Sequence, residues 1–301
     1  MPNAMEIPVA TQDALGFIGL GVMGEPMCRN LAAKSGRKVI AFDLNPDPLG
    51  RLAQQGILRA ASPAEVVRQV EGVFVCLPGE SQIREVFLGS GGVMAAATRG
   101  QFLVDCSTAP PRLAQELEGA AAAKGVEFAD APVARTREAA QLGTLSIMVG
   151  AKPDTFARVR PYLSCMGSDV THCGPAGSGQ VVKLLNNMVL AQNVLALAGA
   201  LGVARRFGVD EKLLLDTMSK GSGDSFALRN HGMKSLLPQV YPERAFSVRY
   251  MLKDLGYALD LASGVDLSLE SAELAKTVYE RAVAEGHGDY YFPVVRRVID
   301  K

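Results

Sequence analysis

The sequence of 301 residues predicts an α/β fold in which a doubly wound sheet is followed by an all-α domain built on one long helix. Three observations carry this. From Ala14 onward, short and wholly apolar runs alternate with amphipathic stretches, the pattern of a parallel sheet covered on both faces. No convincing strand follows the Gly/Pro/Ser-rich stretch from Gly174 to Gly179, which marks a domain boundary. Beyond it, "QVVKLLNNMVLAQNVLALAGALGVA", Gln180 to Ala204, carries a single charge at Lys183, and a helix apolar all round is expected to be buried between domains or subunits. The expected organisation is a disordered tail over 1–13, a sheet domain over 14–175 and a helical domain over 176–301.

Taken in order, "ALGFIGLG" is a buried strand and "EPMCRNLAAKSG" a helix with Met23, Met27 and Leu31 on one face. "KVIAFD" is the second strand. "SPAEVVRQV" opens a helix with Ser62 as cap, Pro63 in the first turn and Glu65 closing a capping box. "GVFVCLP", "QFLVDCS", "VEFADAPV" and "TLSIMVG" are further strands, with helices at "PPRLAQELEGAAAAKG" and "KPDTFARVRPYLSCMG". In the helical half, "KGSGDSFALRNHG" (Lys220 to Gly232) reads as a loop. It either folds over a substrate, bringing Ser222 and Asp224 to it, or simply joins two helices.

Composition narrows the function. Lys plus Arg equals Asp plus Glu at 31 each, so nothing draws the chain toward nucleic acid or an acidic membrane surface. Five cysteines form no CxxC pair, and "MPNAMEIPVATQD" lacks a targeting pattern; a reducing, cytoplasmic setting is expected. His172, His231 and His287 make no metal-ligand spacing, so no metal is expected. The uncharged run is long enough for a bilayer at about 1.5 Å per residue. Asn186, Asn187, Gln192 and Asn193 would then lie in hydrocarbon, a cost that a buried helix avoids. No membrane partner is expected.

"GFIGLGVMGEPM" holds Gly19, Gly21 and Gly24 in GxGxxG spacing, after a strand and before a helix, with Asp43 closing the next strand 19 residues later. That context specifies a Rossmann dinucleotide site. The glycines allow a tight turn, close approach of backbone to pyrophosphate, and helix–strand packing, and the helix N-terminus faces the phosphates. Leu20, Val22 and Met23 complete the turn. A carboxylate at Asp43 accepts from the ribose hydroxyls and repels a 2′-phosphate, and Leu44 supplies no guanidinium for one. NAD is therefore expected rather than NADP.

Lys183 and Asn187 are four apart and share one helix face. Gly177 and Gly179 would let that helix begin close to a ligand. A lysine at a helix end can also simply snorkel to solvent, but the apolar flanks Val181-Val182 and Leu184-Leu185 make that reading uncomfortable.

Five ordered motifs, "GFIGLGVMGEPM", "DCSTAPP", "DAPVARTREAAQLGTLSIMVG", "GSGQVVKLLNN" and "MLKDLGYAL", span roughly Leu15 to Gly288. Together they make the chain resemble the β-hydroxyacid dehydrogenases. The resemblance implies a hydride transfer between NAD(H) and a small 3-hydroxy acid or its semialdehyde. It makes Lys183 the general acid and base and Asn187 its orienting partner. It also implies that Leu77, Pro78, Thr108 and Lys253 line the cofactor and that Ser107, residues Ala134 to Thr136, Asn187 and Lys253 meet the substrate, in a homodimer or homotetramer. A neighbouring cation such as Lys253 and apolar surroundings would lower the pKa of Lys183 toward its working range. The long helix would then join the domains and pack against a partner subunit.

The chain departs from that family at one informative place. The usual loop reads Asp-Ala-Pro-Val-Ser-Gly-Gly, whereas here Ala134, Arg135 and Thr136 replace its last three residues. Arg135 brings a planar fork suited to a carboxylate, phosphate or sulfonate, and the loop is similar to that of the sulfolactaldehyde reductase branch. The plainer alternative is that Arg135 points to solvent or pairs with Glu138. Gly199, Tyr291 and Pro293 are further departures, away from the proposed chemistry. A non-catalytic dinucleotide sensor or scaffold is the alternative of another class, and the presence of Lys183 argues against it.

Overall fold

The computed structural model describes residues 13–243 and 245–301; the tail expected over residues 1–13 lies, apart from Asp13, outside them. The chain forms two compact units that meet in sequence between Lys183 and Leu184.

Among the described residues the first unit forms a nine-stranded sheet flanked by helices. Its strands are β1 (Ala14–Ile18), β2 (Lys38–Phe42), β3 (Leu58–Arg59), β4 (Gly72–Val75), β5 (Phe102–Asp105), β6 (Glu127–Asp130), β7 (Val133–Ala134), β8 (Leu145–Ala151) and β9 (Gly167–Gly174). They run in the order β3-β2-β1-β4-β5-β6-β8-β7, with β9 on β8. Between them lie α1 (Gly24–Lys34), α2 (Pro46–Ala53), α3 (Pro63–Arg68), α4 (Glu80–Leu88), α5 (Val93–Ala96), α6 (Pro111–Ala122), α7 (Arg137–Leu142) and α8 (Pro153–Leu163). Strand residues alternate between two cores, as a period of two demands. Leu15, Phe17, Phe74 and Phe102 join Met27 and Leu31 of α1 on one face. Ala14, Ile18, Val73, Val75 and Leu103 meet Val66, Val67, Leu113 and Leu117 on the other. The capping of α3 differs slightly from expectation. Ser62 Oγ accepts from Glu65 N at 3.1 Å, but the Glu65 carboxylate reaches back to Ala61 N at 2.6 Å, one residue before the cap.

The sheet is parallel from β3 through β6, yet β8 runs antiparallel to both β6 and β7. The sheet is thus predominantly parallel, as expected, with β8 as the strand of opposite sense to β6 and β7. The whole connection from β7 to β8, residues 135–144 with the short helix α7 in it, is shorter than the dozen or more residues of a parallel crossover. β9, which the apolar pattern did not reveal, is largely exposed or half-buried, so it carries no such pattern.

The thirty-residue helix α9 (Ser178–Phe207) follows; its first residues belong to the first unit and the rest to the second. In the second unit Ala191, Val194, Leu197, Ala198 and Leu201 pack with Leu215, Val248, Met251, Leu255, Tyr279 and Phe292. These come from α10 (Glu211–Met218), α11 (Val248–Ser263), α12 (Glu270–Ala284) and a 3₁₀ turn over Phe292–Val295, before α13 (Arg296–Ile299) closes the chain. Among the described residues α9 is the one helix long and apolar enough to cross a membrane by length and composition, and 44% of its most apolar window is buried inside the protein. Val182, Leu185, Val189, Val203 and Phe207 are exposed along it. The expected loop from Lys220 to Gly232 is shorter, because a π-helix begins at Leu228 and runs to Leu236.

Candidate active site

Because β1, β2, β4, β5 and β6 are mutually parallel, the residues that follow them share one edge of the sheet. The strand order turns between β1 and β4, the position where open α/β sheets bind ligands. Gly19 follows β1, Asp43 follows β2, Leu77 and Pro78 lie just beyond β4, Ser107 and Thr108 just beyond β5, and Asp130 ends β6.

The three glycines have different reasons to be glycine. Gly19 has φ +91°, and a Cβ there would overlap the Cys76 carbonyl oxygen. A Cβ at Gly24 would overlap the Gly19 carbonyl oxygen, so this position is fixed by close packing of helix on strand. Gly21 is exposed, and a Cβ on it would meet nothing within 4 Å. Among the described residues nothing requires that glycine; a pyrophosphate pressed against its backbone would. Among the described residues no side chain caps α1 at Met23, so its first-turn N–H groups and dipole suit an anionic ligand. These features fit a dinucleotide.

Asp43 accepts hydrogen bonds from Leu20 N and, at 2.7 Å, from Asn45 N. A carboxylate has about four acceptor sites, so capacity remains for ribose hydroxyls. The Leu20 side chain is buried in the core and its N–H goes to Asp43, while Val22 is exposed and Met23 packs against the core. The next residue, Leu44, is 92% exposed. Ser107 draws two strand-end loops together: its Oγ accepts from Leu77 N at 2.8 Å and its N donates to Asp105 Oδ1 at 2.9 Å. Burial raises the thiol of Cys76, just before Leu77, to about 12, which keeps it protonated.

The same edge holds the beginning of α9. The fully buried Gln180 side chain accepts from Ala109 N at 3.1 Å through Oε1 and donates to Ser107 O at 2.9 Å through Nε2. The Asp130 carboxylate accepts from Gly177 N at 2.6 Å and from Gln180 N at 2.9 Å. Burial, opposed by these two hydrogen bonds, raises the Asp130 pKa to about 7. Lys183 lies three residues beyond the Gln180 clamp and is 8% exposed.

One turn further along α9, Asn187 belongs to the second unit. Its Nδ2 donates to Asp254 Oδ2 at 2.6 Å and its Oδ1 accepts from Asn186 Nδ2 at 3.1 Å. Lys253 ion-pairs with the other Asp254 oxygen at 3.1 Å and lies 5.1 Å from the centre of the Tyr257 ring. Asp254, only 1% exposed, was missed by the sequence reading. The signal available was its place beside the expected lysine in "KDL".

In the Ala134–Thr136 loop the polar side chains are engaged within the protein. Arg135 pairs with Asp169 at 2.6 Å, not with Glu138, and donates to Thr144 O at 2.6 Å and Ser168 Oγ at 2.8 Å. Its fork is occupied by protein acceptors. Thr136 caps α7, accepting from Ala139 N at 3.3 Å. In the second unit Asp224 is ion-paired with Arg229, while Ser222 is exposed. Tyr291 hydrogen-bonds His231 Nδ1 at 2.7 Å, and burial lowers the pKa of that histidine to about 4; the pair is a neutral core contact.

Residues 14–174 match the family model described as the NAD binding domain of 6-phosphogluconate dehydrogenase. Residues 177–297 match that described as NAD-binding of NADP-dependent 3-hydroxyisobutyrate dehydrogenase. The chain is 37% identical to 3-hydroxyisobutyrate dehydrogenase of Pseudomonas aeruginosa, over 91% of this chain and 94% of the relative. It is 34% identical to 2-(hydroxymethyl)glutarate dehydrogenase of Eubacterium barkeri, over 91% and 90%. Among solved structures, Mycobacterium tuberculosis 3-hydroxyisobutyrate dehydrogenase with L-serine superposes with a TM-score of 0.86 at 31% identity, covering 97% of this chain and 100% of that one.

Proposed function

The chain belongs to the β-hydroxyacid dehydrogenase family of NAD(P)-dependent oxidoreductases, and from that footing we propose that it oxidises a small 3-hydroxy acid, or reduces its semialdehyde, with Lys183 as general acid and base. The observation that carries the reading is the burial of Lys183 three residues beyond a glutamine clamped to the loop behind β5.

When bound, the nicotinamide exchanges a hydride with the substrate carbon. In reduction the Lys183 ammonium donates a hydrogen bond to the carbonyl oxygen and delivers its proton as the alkoxide develops. In oxidation the neutral amine accepts that proton. Asn187 cannot titrate; held through Nδ2 by Asp254, it orients its neighbours. Lys253, Leu77, Pro78, Thr108 and Ser107 are assigned as cofactor and substrate contacts on the family motifs. Ser107 Oγ accepts from Leu77 N, and its hydroxyl proton is what it would offer to an anionic substrate.

Replacement of Lys183 by alanine is expected to lower kcat by about a thousandfold, the scale of a lost general acid, while NAD(H) affinity stays within about twofold because the phosphate turn is untouched. Near-normal turnover would end the assignment. The assay follows NADH absorbance with 3-hydroxyisobutyrate, 2-(hydroxymethyl)glutarate, their semialdehydes and a sulfonate analogue. A preference for the sulfonate would move the enzyme to the sulfolactaldehyde type, and binding of NAD(H) with no turnover of the panel would favour a sensor.

Asp43 supports NAD over NADP, since its carboxylate borders the phosphate turn beside an apolar, exposed Leu44. A like charge facing a 2′-phosphate is expected to favour NAD(H) in kcat/KM by at least about tenfold. Equal or better use of NADP(H) in the same assay would reverse this choice.

A further inference from the structure

We infer that Asp130 is a positioning residue for the reaction: its ionised carboxylate, reaching from the end of β6, fastens the first turn of α9 and so sets where Lys183 stands. The inference rests on the role proposed for Lys183.

The first turn of a helix has N–H groups without intrahelical acceptors, and they are ordinarily met by a side chain just upstream. At the start of α9, Ser178 N donates to Pro175 O, but Gln180 N and the N–H of Gly177, just before the helix, are met from another part of the chain. Asp130 Oδ1 takes Gly177 N at 2.6 Å and Oδ2 takes Gln180 N at 2.9 Å, across 47 and 50 residues of sequence. The carboxylate is fully buried, and the backbone is shaped around it. A Cβ at Gly179 would come within 2.7 Å of Oδ2, and a Cβ at Gly150 of β8 would overlap Oδ1. The second N–H belongs to Gln180, whose side chain ties the helix to Ser107 O and Ala109 N. Lys183 follows within one turn, so a change in the helix start is transmitted to its amine.

Both N–H groups donate, and an ionised carboxylate accepts both at full strength. A protonated one keeps one good acceptor and turns the other oxygen into a hydroxyl. The two bonds therefore favour the ionised form, and by reciprocity protonation weakens them. Burial works the other way and leaves the group titrating at about 7. The ionisable groups facing it are Asp105 at the end of β5, which raises its pKa, and Cys173 of β9, whose thiol burial also raises; β8 presents Met148, Val149 and Gly150, none of them titratable.

In the reductive direction Lys183 must be protonated, so its own titration limits the rate at high pH. The low-pH limit is then the signature of Asp130. With the semialdehyde of 3-hydroxyisobutyrate and NADH, kcat is expected to fall as pH drops through about 7. Asp130→Asn keeps the shape and removes the titration. It should abolish that low-pH limb, keep the high-pH limb, lower the plateau kcat about tenfold and leave the KM for NADH within about twofold.

A second measurement needs no substrate. In the wild-type protein, amide hydrogen exchange of residues 177–180, corrected for the intrinsic pH dependence, should lose at least about tenfold of its protection from pH 8 to pH 6, the scale of one weakened charge-assisted bond. The same exchange in Asp130→Asn should not change with pH. Constant protection in the wild type, or a low-pH limb that survives in Asp130→Asn, would overturn the inference. Activity retained by Lys183→Ala would instead overturn the role of the lysine and leave the exchange result standing.

Discussion

The glycine turn after β1 and the loop from Ala134 to Thr136 both carry residue types suited to an anion, yet the fold treats them oppositely. In the turn, Gly19 and Gly24 are consumed by internal packing, while Gly21 answers to no neighbour among the described residues. In the loop, Arg135 has the chemistry of an anion fork, but Thr144 O, Ser168 and Asp169 already hold it. A residue type therefore points to a ligand only to the extent that the fold leaves its need, or its capacity, unmet. Gly21 passes that test, and Arg135 shows how a persuasive substitution can have an internal reason.

The sharpest way to break this contrast lies within the turn itself. Alanine at Gly19 must place a Cβ onto the Cys76 carbonyl from a backbone with φ +91°, which should destabilise the protein by about 3 kcal/mol. Alanine at Gly21 has open space around it and should leave stability within about 0.5 kcal/mol, while weakening NAD(H) about tenfold by holding the pyrophosphate off the backbone. Thermal unfolding and cofactor titration on the two variants separate the effects. Equal losses of stability would mean that Gly21 has an internal job after all.

Much of the first unit could be read from apolar runs because its central strands are buried on both faces. The phosphate turn and Asp43 were visible for the same reason, lying at the ends of strands that the pattern locates. What the pattern could not show was anything carried by exposed strands or by bonds across long stretches of chain. β9 exposes much of its length, so it has no apolar signature, and Ser168 and Asp169 could not be placed beside Arg135. In the sheet, Ser146 of β8 stands between Ala134 on one side and Asp169 on the other, which brings those acceptors within reach. In the sequence Asp130 is visible only as part of a motif; its hold on α9 depends on a meeting of segments that no local spacing encodes. Asp254 escaped because an acidic residue beside a lysine on a helix ordinarily reads as a solvated pair, whereas burial makes it an acceptor for Asn187.

The smallest expected effect tests the loop side of the contrast. Arg135 adopts φ +83°, a left-handed backbone that disfavours any side chain with a Cβ. Arg135 thus holds a conformation that glycine takes more readily, and its three side-chain hydrogen bonds offset the strain. Arg135→Ala loses the bonds and keeps the strain; Arg135→Gly loses the bonds and relieves it. The glycine variant should therefore be the more stable of the two by roughly 0.5–1 kcal/mol, the left-handed penalty less the extra unfolded-state entropy of glycine. If the fork serves the loop, the ratio of carboxylate to sulfonate turnover should change by no more than about twofold in Arg135→Ala, as for other exposed ion pairs. A collapse of that ratio would show that Arg135 exchanges Asp169 for the substrate anion when one is present, and the loop would then join Gly21 among the positions whose chemistry is reserved for a ligand.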